Sequence, residues 1–189
     1  INSFGSTTMA GVAAASKIES YAIMPVISFS SGMATYAGQN AGAGDLKRVW
    51  AGYKSGLILT FLLTACFSIV IFSFARPFVS LFGCSGDALE FGIQYLRFMA
   101  CVLVIMTVLF ISRGMLQGVG DVTITTVITF ATLALRIVLA YWMAGIPAIG
   151  RRAIYICMGI DFCIGAVFYI IRLASGSWKK KILVKSETE

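Results

Sequence analysis

Histidine is absent from this 189-residue chain, and with it go imidazole metal ligands, the commonest acid–base side chain and any Ser-His-Asp triad. Charge is scarce. Asp, Glu, Lys and Arg make up 12% of the residues, 8 acidic against 15 basic. That basic excess is not a nucleic-acid footprint, because few of these side chains stand among stacking aromatics on a polar surface. Positive-inside topology and lipid head groups account for it better. The five cysteines (Cys66, Cys84, Cys101, Cys157 and Cys163) include no CxxC pair and mostly lie inside apolar runs. Free Cys packs there as a small hydrophobe, which argues against metal and disulfide roles.

What the chain has in excess is apolar residue. The hydrophobic fraction is 59%, against roughly 45–50% in soluble domains. Nearly uncharged runs recur at Ser55–Ala75, Phe98–Ser112, Val122–Leu135 and Ala153–Ile171, and a span needs about 20 mostly apolar residues. Runs such as SGLILTFLLTACFSIVIFSFA are apolar all round, without the alternation of a transmembrane β-strand. The fold class expected is therefore an all-α, polytopic membrane protein with about five transmembrane helices.

Apolar runs and breakers predict helices over Gly11–Ala37, Asp45–Ala75, Asp87–Gln117, Val122–Gly145 and Ala148–Leu173. The breakers are a glycine turn from Gly38 to Arg48, Arg76-Pro77 through Ser85-Gly86, Gly118-Val119-Gly120-Asp121, and Gly145-Ile146-Pro147. Asp45 can cap the second helix, and Asp87 with Glu90 resembles a capping box. One face then carries Lys47, Arg48, Lys54, Arg113, Arg172, Lys179, Lys180, Lys181 and Lys185, the other Lys17, Arg76, Arg97, Arg151 and Arg152. The richer face is expected to be cytoplasmic, which puts the C-terminus inside the cell and Ile1 outside. The opening INSFGSTTMAG has no initiator Met and no charged-then-apolar leader. A C-terminal part of a larger protein is expected, with residues 1–175 as a transmembrane lobe and 176–189 as a basic cytoplasmic tail.

Charge at a helix centre costs about 2.5–3.5 kcal/mol on insertion scales, so each instance needs a reason. Lys17, Glu19 and Arg97 lie within snorkelling reach of a helix end, with a solvated cavity as the alternative for the first two. Arg136 and Asp161 sit near the middles of helices that a short connection makes neighbours. A salt bridge there could lock the two helices, or could line a pathway for proton or cation coupling. Pro25 interrupts the first helix, either as a static kink or as a hinge. Gly52-x-x-x-Gly56 and Gly114-x-x-x-Gly118 are small-residue packing patterns that suit close helix approach within the chain. The residues argue against a phosphate site in the glycine turn, since GAGD follows an apolar helix and lacks GxGxxG or GxxxxGK spacing.

The stretch INSFGSTTMAGVAAASKIESYAIMPVISFSSGMATYAGQNAGAGDLKRV resembles the end of helix seven, helix eight and the following turn of the multidrug and toxic compound extrusion (MATE) family. QYLRFMA resembles the opening of helix ten, GMLQGVGDV its close, and LRIVLAYWMA helix eleven, with a short basic tail after SGSW. The family-motif turn comprises Gly38, Gln39, Asn40, Gly42 and Gly44. The resemblance implies one lobe of a twelve-helix, two-lobe exporter in the plasma membrane. It implies export of organic, often cationic, compounds by alternating access in exchange for protons or sodium. No cofactor, no covalent chemistry and no nucleic-acid partner are implied, and the N-terminal lobe is the expected partner within the same chain. Several branches carry a coupling acid on helix ten, and here that place falls at about Met106. This favours the DinF-like bacterial branch, whose coupling acid lies on the first helix of the other lobe. Met24, Met33, Met99, Met106, Phe98 and Phe110 fit a permissive drug pocket, but helix–helix and lipid contacts account for most such residues. A flippase for a lipid-linked saccharide is the nearest alternative, and a strongly basic central cavity would favour it. A membrane-embedded enzyme is a more distant one.

Overall fold

A computed structural model describes residues 5–146 and 149–179. Among these the secondary structure is helical. It comprises α1 (Ser6–Gly42), α2 (Leu46–Ser73), a short α3 (Ala75–Ser80), α4 (Gly86–Gly118), α5 (Val122–Ala144) and α6 (Ala153–Ala174). Single 3-10 turns cover Gly150–Arg152 and Ser177–Lys179. Lys180, Lys181, Lys185, Pro147 and the expected helix start at Ala148 lie outside the described residues.

The two longest helices, α1 and α4, run parallel and form the most extensive interface of the bundle. Small residues make that approach possible. Gly11 lies against Ala88 and Gly92, Ser30 against Gly114, and Gly38 with Ala34 against Gly118. At Gly114 and Gly118 the neighbour is the backbone of α1 itself, the close packing that small-xxx-small spacing permits. The Ser30 hydroxyl adds a hydrogen bond of 2.7 Å to the Phe110 carbonyl.

α2 packs on the other side of α4 through hydroxyl contacts: Tyr53 with Ser112 at 2.9 Å, Thr64 with Thr107 at 2.8 Å, and Ser68 donating to the Ala100 carbonyl at 2.6 Å. In lipid, where apolar contact alone gives little specificity, such bonds fix the partner and register. α4 is thus the hub, touching α1, α2 and α6, while α5 packs chiefly on α6 and scarcely meets α4.

The same four-residue device, G-x-G-D, turns the chain twice. After α1 it is Gly42-Ala43-Gly44-Asp45, with Gly44 at φ +75°; after α4 it is Gly118-Val119-Gly120-Asp121, with Gly120 at φ +90°. In both, the Asp N–H reaches back to the carbonyl of the third-last helical residue, Asn40 or Leu116, and the glycine N–H to the second-last, Ala41 or Gln117. These are the paired bonds of a Schellman cap, which needs a left-handed residue that glycine supplies without steric cost.

Several local expectations are corrected. The turn predicted to start at Gly38 is confined to 43–45, because Gly38, Gln39, Asn40 and Gly42 continue α1 for one more turn. Gly38 is selected there by its contact with α4. Pro25 lies inside α1 without interrupting it. The loop expected at Arg76-Pro77 forms α3, whose first turn tolerates a residue lacking an N–H. Asp87 makes no capping box. Its carboxylate is held by the Arg151 guanidinium, with one contact at 2.6 Å, while Glu90 pairs with Arg76. A charged fork is the stronger partner for a carboxylate than a backbone amide. Asp45 does cap α2, accepting from the Arg48 N–H at 2.9 Å.

Among the described residues four helical segments are long and apolar enough to cross a membrane: α2, α4, α5 and Gly150–Ala174. The fifth expected span, α1, is longer than any of them, and at about 1.5 Å per residue its length reaches about 55 Å. Its serines, glycines, Lys17 and Glu19 set it apart in composition, and the reason lies in which face it exposes.

Candidate functional site

The exposed face of α1 carries a stripe rich in polar residues, with Ile27 and Tyr36 exposed beside it. Lys17, Ser20, Tyr21, Met24, Ser28, Ser31, Thr35 and Gln39 recur at three- and four-residue steps and all are exposed, so they form one stripe along the helix. Ser20, Ser28, Ser31 and Thr35 each donate to the carbonyl four residues back, which leaves their oxygens free to accept. The exposed faces of α2 and α5 are different in kind. Ile58, Leu59, Leu62 and Ile69 on α2 stand in the open, as do Val127, Phe130, Val138 and Trp142 on α5. Those suit acyl chains; the α1 stripe suits water or another polar protein surface.

Beside the stripe, a groove of about 580 Å³ lies between α1 and α2, lined by Ser28, Phe29, Gly32, Met33, Tyr36 and Gly52 among others. The Tyr36 ring lies over Gly52, and its hydroxyl donates to the Arg48 carbonyl at 3.3 Å. Met24 belongs to the exposed stripe and Met33 to the groove wall. Met99 and Met106 do not line a wall: they are 3% and 1% exposed, inside the core between α1 and α4.

The second polar feature is internal. Arg136 Nη1 lies 3.7 Å from Asp161 Oδ2 across the α5–α6 contact. The Asp161 side chain is only 9% exposed, and its Oδ1 has no hydrogen-bond partner among the described residues. Both residues border a cavity of about 310 Å³ enclosed by α4, α5 and α6, with Arg113, Thr129, Thr132 and Tyr169 also on its wall. Thr129 and Thr132 donate to backbone carbonyls on α5, and the Tyr169 hydroxyl bridges from α6 to the Thr125 carbonyl at 3.2 Å.

Glu19 and Arg97 each have a partner on a neighbouring helix. The Tyr95 hydroxyl donates to Glu19 at 2.9 Å, tying α1 to α4. Glu19 is partly buried because it is four residues from the buried Ala15, on the α4-facing side of α1; helical register is the signal that places it. Arg97 is exposed, with its guanidinium 5.3 Å from the Phe72 ring centroid. The contact with no local signal is Asp121 with Arg172. Asp121, 0% exposed in the second G-x-G-D turn, accepts from Arg172 Nε at 2.7 Å at the far end of α6.

Comparison with known proteins now assigns the bundle. The MatE family model matches residues 1–142 of the 189. The chain belongs to the MatE family. That family consists of transporters rather than enzymes, and this chain is a multi-pass membrane protein of it. Among curated MatE relatives, the chain is 24% identical over 186 residues to the probable multidrug resistance protein YpnP of Bacillus subtilis, covering 95% of this chain and 40% of that protein. It is 23% identical to the probable multidrug resistance protein NorM of Thermotoga maritima, covering 97% and 40%. The chain thus spans about 40% of the length of the MatE proteins it matches. In fold, it is similar to a crystal structure of MATE in the bent conformation, with a TM-score of 0.84 at 20% identity over 95% of this chain and 40% of that one. A crystal structure of a MATE mutant gives the same TM-score at 19% identity, over all of this chain and 40% of its own.

Proposed function

We propose that the chain forms the C-terminal lobe of a secondary-active multidrug exporter, residues 1–175 being the lobe and 176–189 a cytoplasmic basic tail. The observation that carries this is the polar stripe of α1 on a bundle whose other open faces are apolar. A helix face of that composition needs an aqueous path or a second lobe opposite it, and exporters built of two lobes rocking about a midplane cavity provide both. The multidrug names of the curated relatives support organic, often cationic, substrates, and proton or sodium exchange supplies the driving force. Lys17 is the one cation on the described stripe. That fits an exporter of cations better than a flippase for an anionic lipid-linked saccharide.

Met106 in the core, where several branches carry an acid, supports the DinF-like branch with its coupling acid in the other lobe. Arg136 and Asp161 are a charged pair of this lobe that would respond to a coupling proton, and Pro25 the hinge within α1. In cells carrying the full gene, accumulation of ethidium is expected to fall when the protein is expressed and to recover when the proton and sodium gradients are collapsed. Export that persists without either gradient overturns secondary transport. Ser31→Trp, on the stripe, should lower export several-fold with unchanged yield of folded protein; unchanged export would remove α1 from the path.

A further inference from the structure

We propose that the cavity between α4, α5 and α6 is a binding site for an amphipath with one acidic head group, entered sideways from the bilayer. Its charges do not balance. Arg113 and Arg136 stand on the wall against the single carboxylate of Asp161. Arg113 is half-buried and makes no ion pair among the described residues. Two guanidiniums against one carboxylate leave the wall with net positive charge, so the site favours an anion that can reach it.

The internal counter-ion is also poorly seated. The contact between Arg136 and Asp161 is 3.7 Å, well beyond the ~2.7–2.9 Å of a charge-assisted hydrogen bond. The planar fork of Arg136 therefore keeps donors for a second carboxylate or a phosphate, whose geometry it matches. A metal cation is a poor fit, since two guanidiniums repel it.

Access and chain length follow from the packing. α5 scarcely touches α4, and of its residues only Thr125 and Met143 are buried. The α4–α5 seam thus opens the cavity toward the faces that suit acyl chains. Phe110 and Leu133 stand on the wall beside the arginines, giving a tail an apolar bed while the head group reaches the guanidiniums. Such a site requires only that these helices sit in a bilayer, whatever the exporter carries.

The test is equilibrium binding of radiolabelled laurate to the full-length protein in phosphatidylcholine nanodiscs, with empty nanodiscs subtracted. Laurate is expected to bind and dodecyltrimethylammonium not to compete. Arg113→Gln and Arg136→Gln should each weaken binding about tenfold or more, the size of one lost charged hydrogen bond. Asp161→Asn should tighten it, because it removes the competing carboxylate. Loss of binding in Asp161→Asn, or indifference to both arginines, overturns the proposal. If Arg136→Gln does not fold, Arg113→Gln and Asp161→Asn decide. Displacement by phosphatidylglycerol supports the site with lipid as its source, and failure of that lipid to compete supports it with free fatty acid. Displacement by equimolar inorganic phosphate overturns the amphipath. Laurate binding with this arginine dependence in a protein that exports nothing would leave the site standing and defeat the exporter reading.

Discussion

Gly118→Val is expected to abolish most of the folded protein, with Gly114→Val close behind, when the full-length protein is assayed by size-exclusion profile and thermal unfolding in detergent. An added Cβ at Gly118 would stand 2.2 Å from the Ala34 carbonyl oxygen and 2.9 Å from that residue's Cα; at Gly114 it would stand 2.3 Å from the Ser30 carbonyl oxygen. These are backbone atoms of the facing helix and have no rotamer to move into. α1 and α4 must separate, which loosens the bundle's largest interface and pulls the Ser30 hydroxyl from Phe110. Ordinary overpacking costs about 1–3 kcal/mol, and a rigid backbone clash belongs at or above the top of that range. Gly52→Ala is the control. Its added Cβ would come even closer to a neighbour, 2.0 Å, but the neighbour is the exposed Tyr36 ring. That ring can swing out at the loss of one 3.3 Å hydrogen bond, so a mild effect is expected. Equal losses in Gly52→Ala and Gly118→Ala would refute the close α1–α4 crossing.

The spacing of Gly114 and Gly118 was legible in the sequence because a small-residue motif repeats at the period of a helix. Its partner was not, since nothing local says that the facing helix presents Ser30 and Ala34. The same division runs through the charged residues. Asp45 caps α2 as its position beside the helix start implies, whereas Asp87 holds Arg151 across the bundle and takes no capping role. Arg136 and Asp161 could be placed together because a short connection makes α5 and α6 neighbours. Gly38 reads as a turn residue in any glycine-rich string; only the packed α4 reveals it as a contact residue. The α1 stripe is the most useful feature left unread. Serine, glycine and alanine fill both faces of that helix, so hydropathy does not separate them, and only burial shows which set faces outward.

Arg172→Leu carries the other large expected effect, and its sign pattern tests a contact between residues distant in sequence. Asp121 is 0% exposed while the Arg172 side chain is 20% exposed, so the two partners are not equivalent. Removing the guanidinium takes the 2.7 Å hydrogen bond of Arg172 Nε from a carboxylate that the G-x-G-D turn holds inside the protein. Losing a hydrogen bond from a charged donor to a buried carboxylate costs about 1.5–3 kcal/mol, enough to lower the unfolding temperature and reduce folded yield. Asp121→Asn should cost less, because Arg172 near the end of α6 can turn toward water. The double variant Asp121→Asn with Arg172→Leu should therefore be more stable than Arg172→Leu alone. The neighbouring Trp178, 1% exposed and stacked 6.4 Å from Trp50, gives a local readout: its fluorescence should shift to the red in Arg172→Leu as the end of α6 loosens. A double variant no better than the single one would mean that packing by the Arg172 stem, rather than the buried charge of Asp121, holds this end of the bundle together.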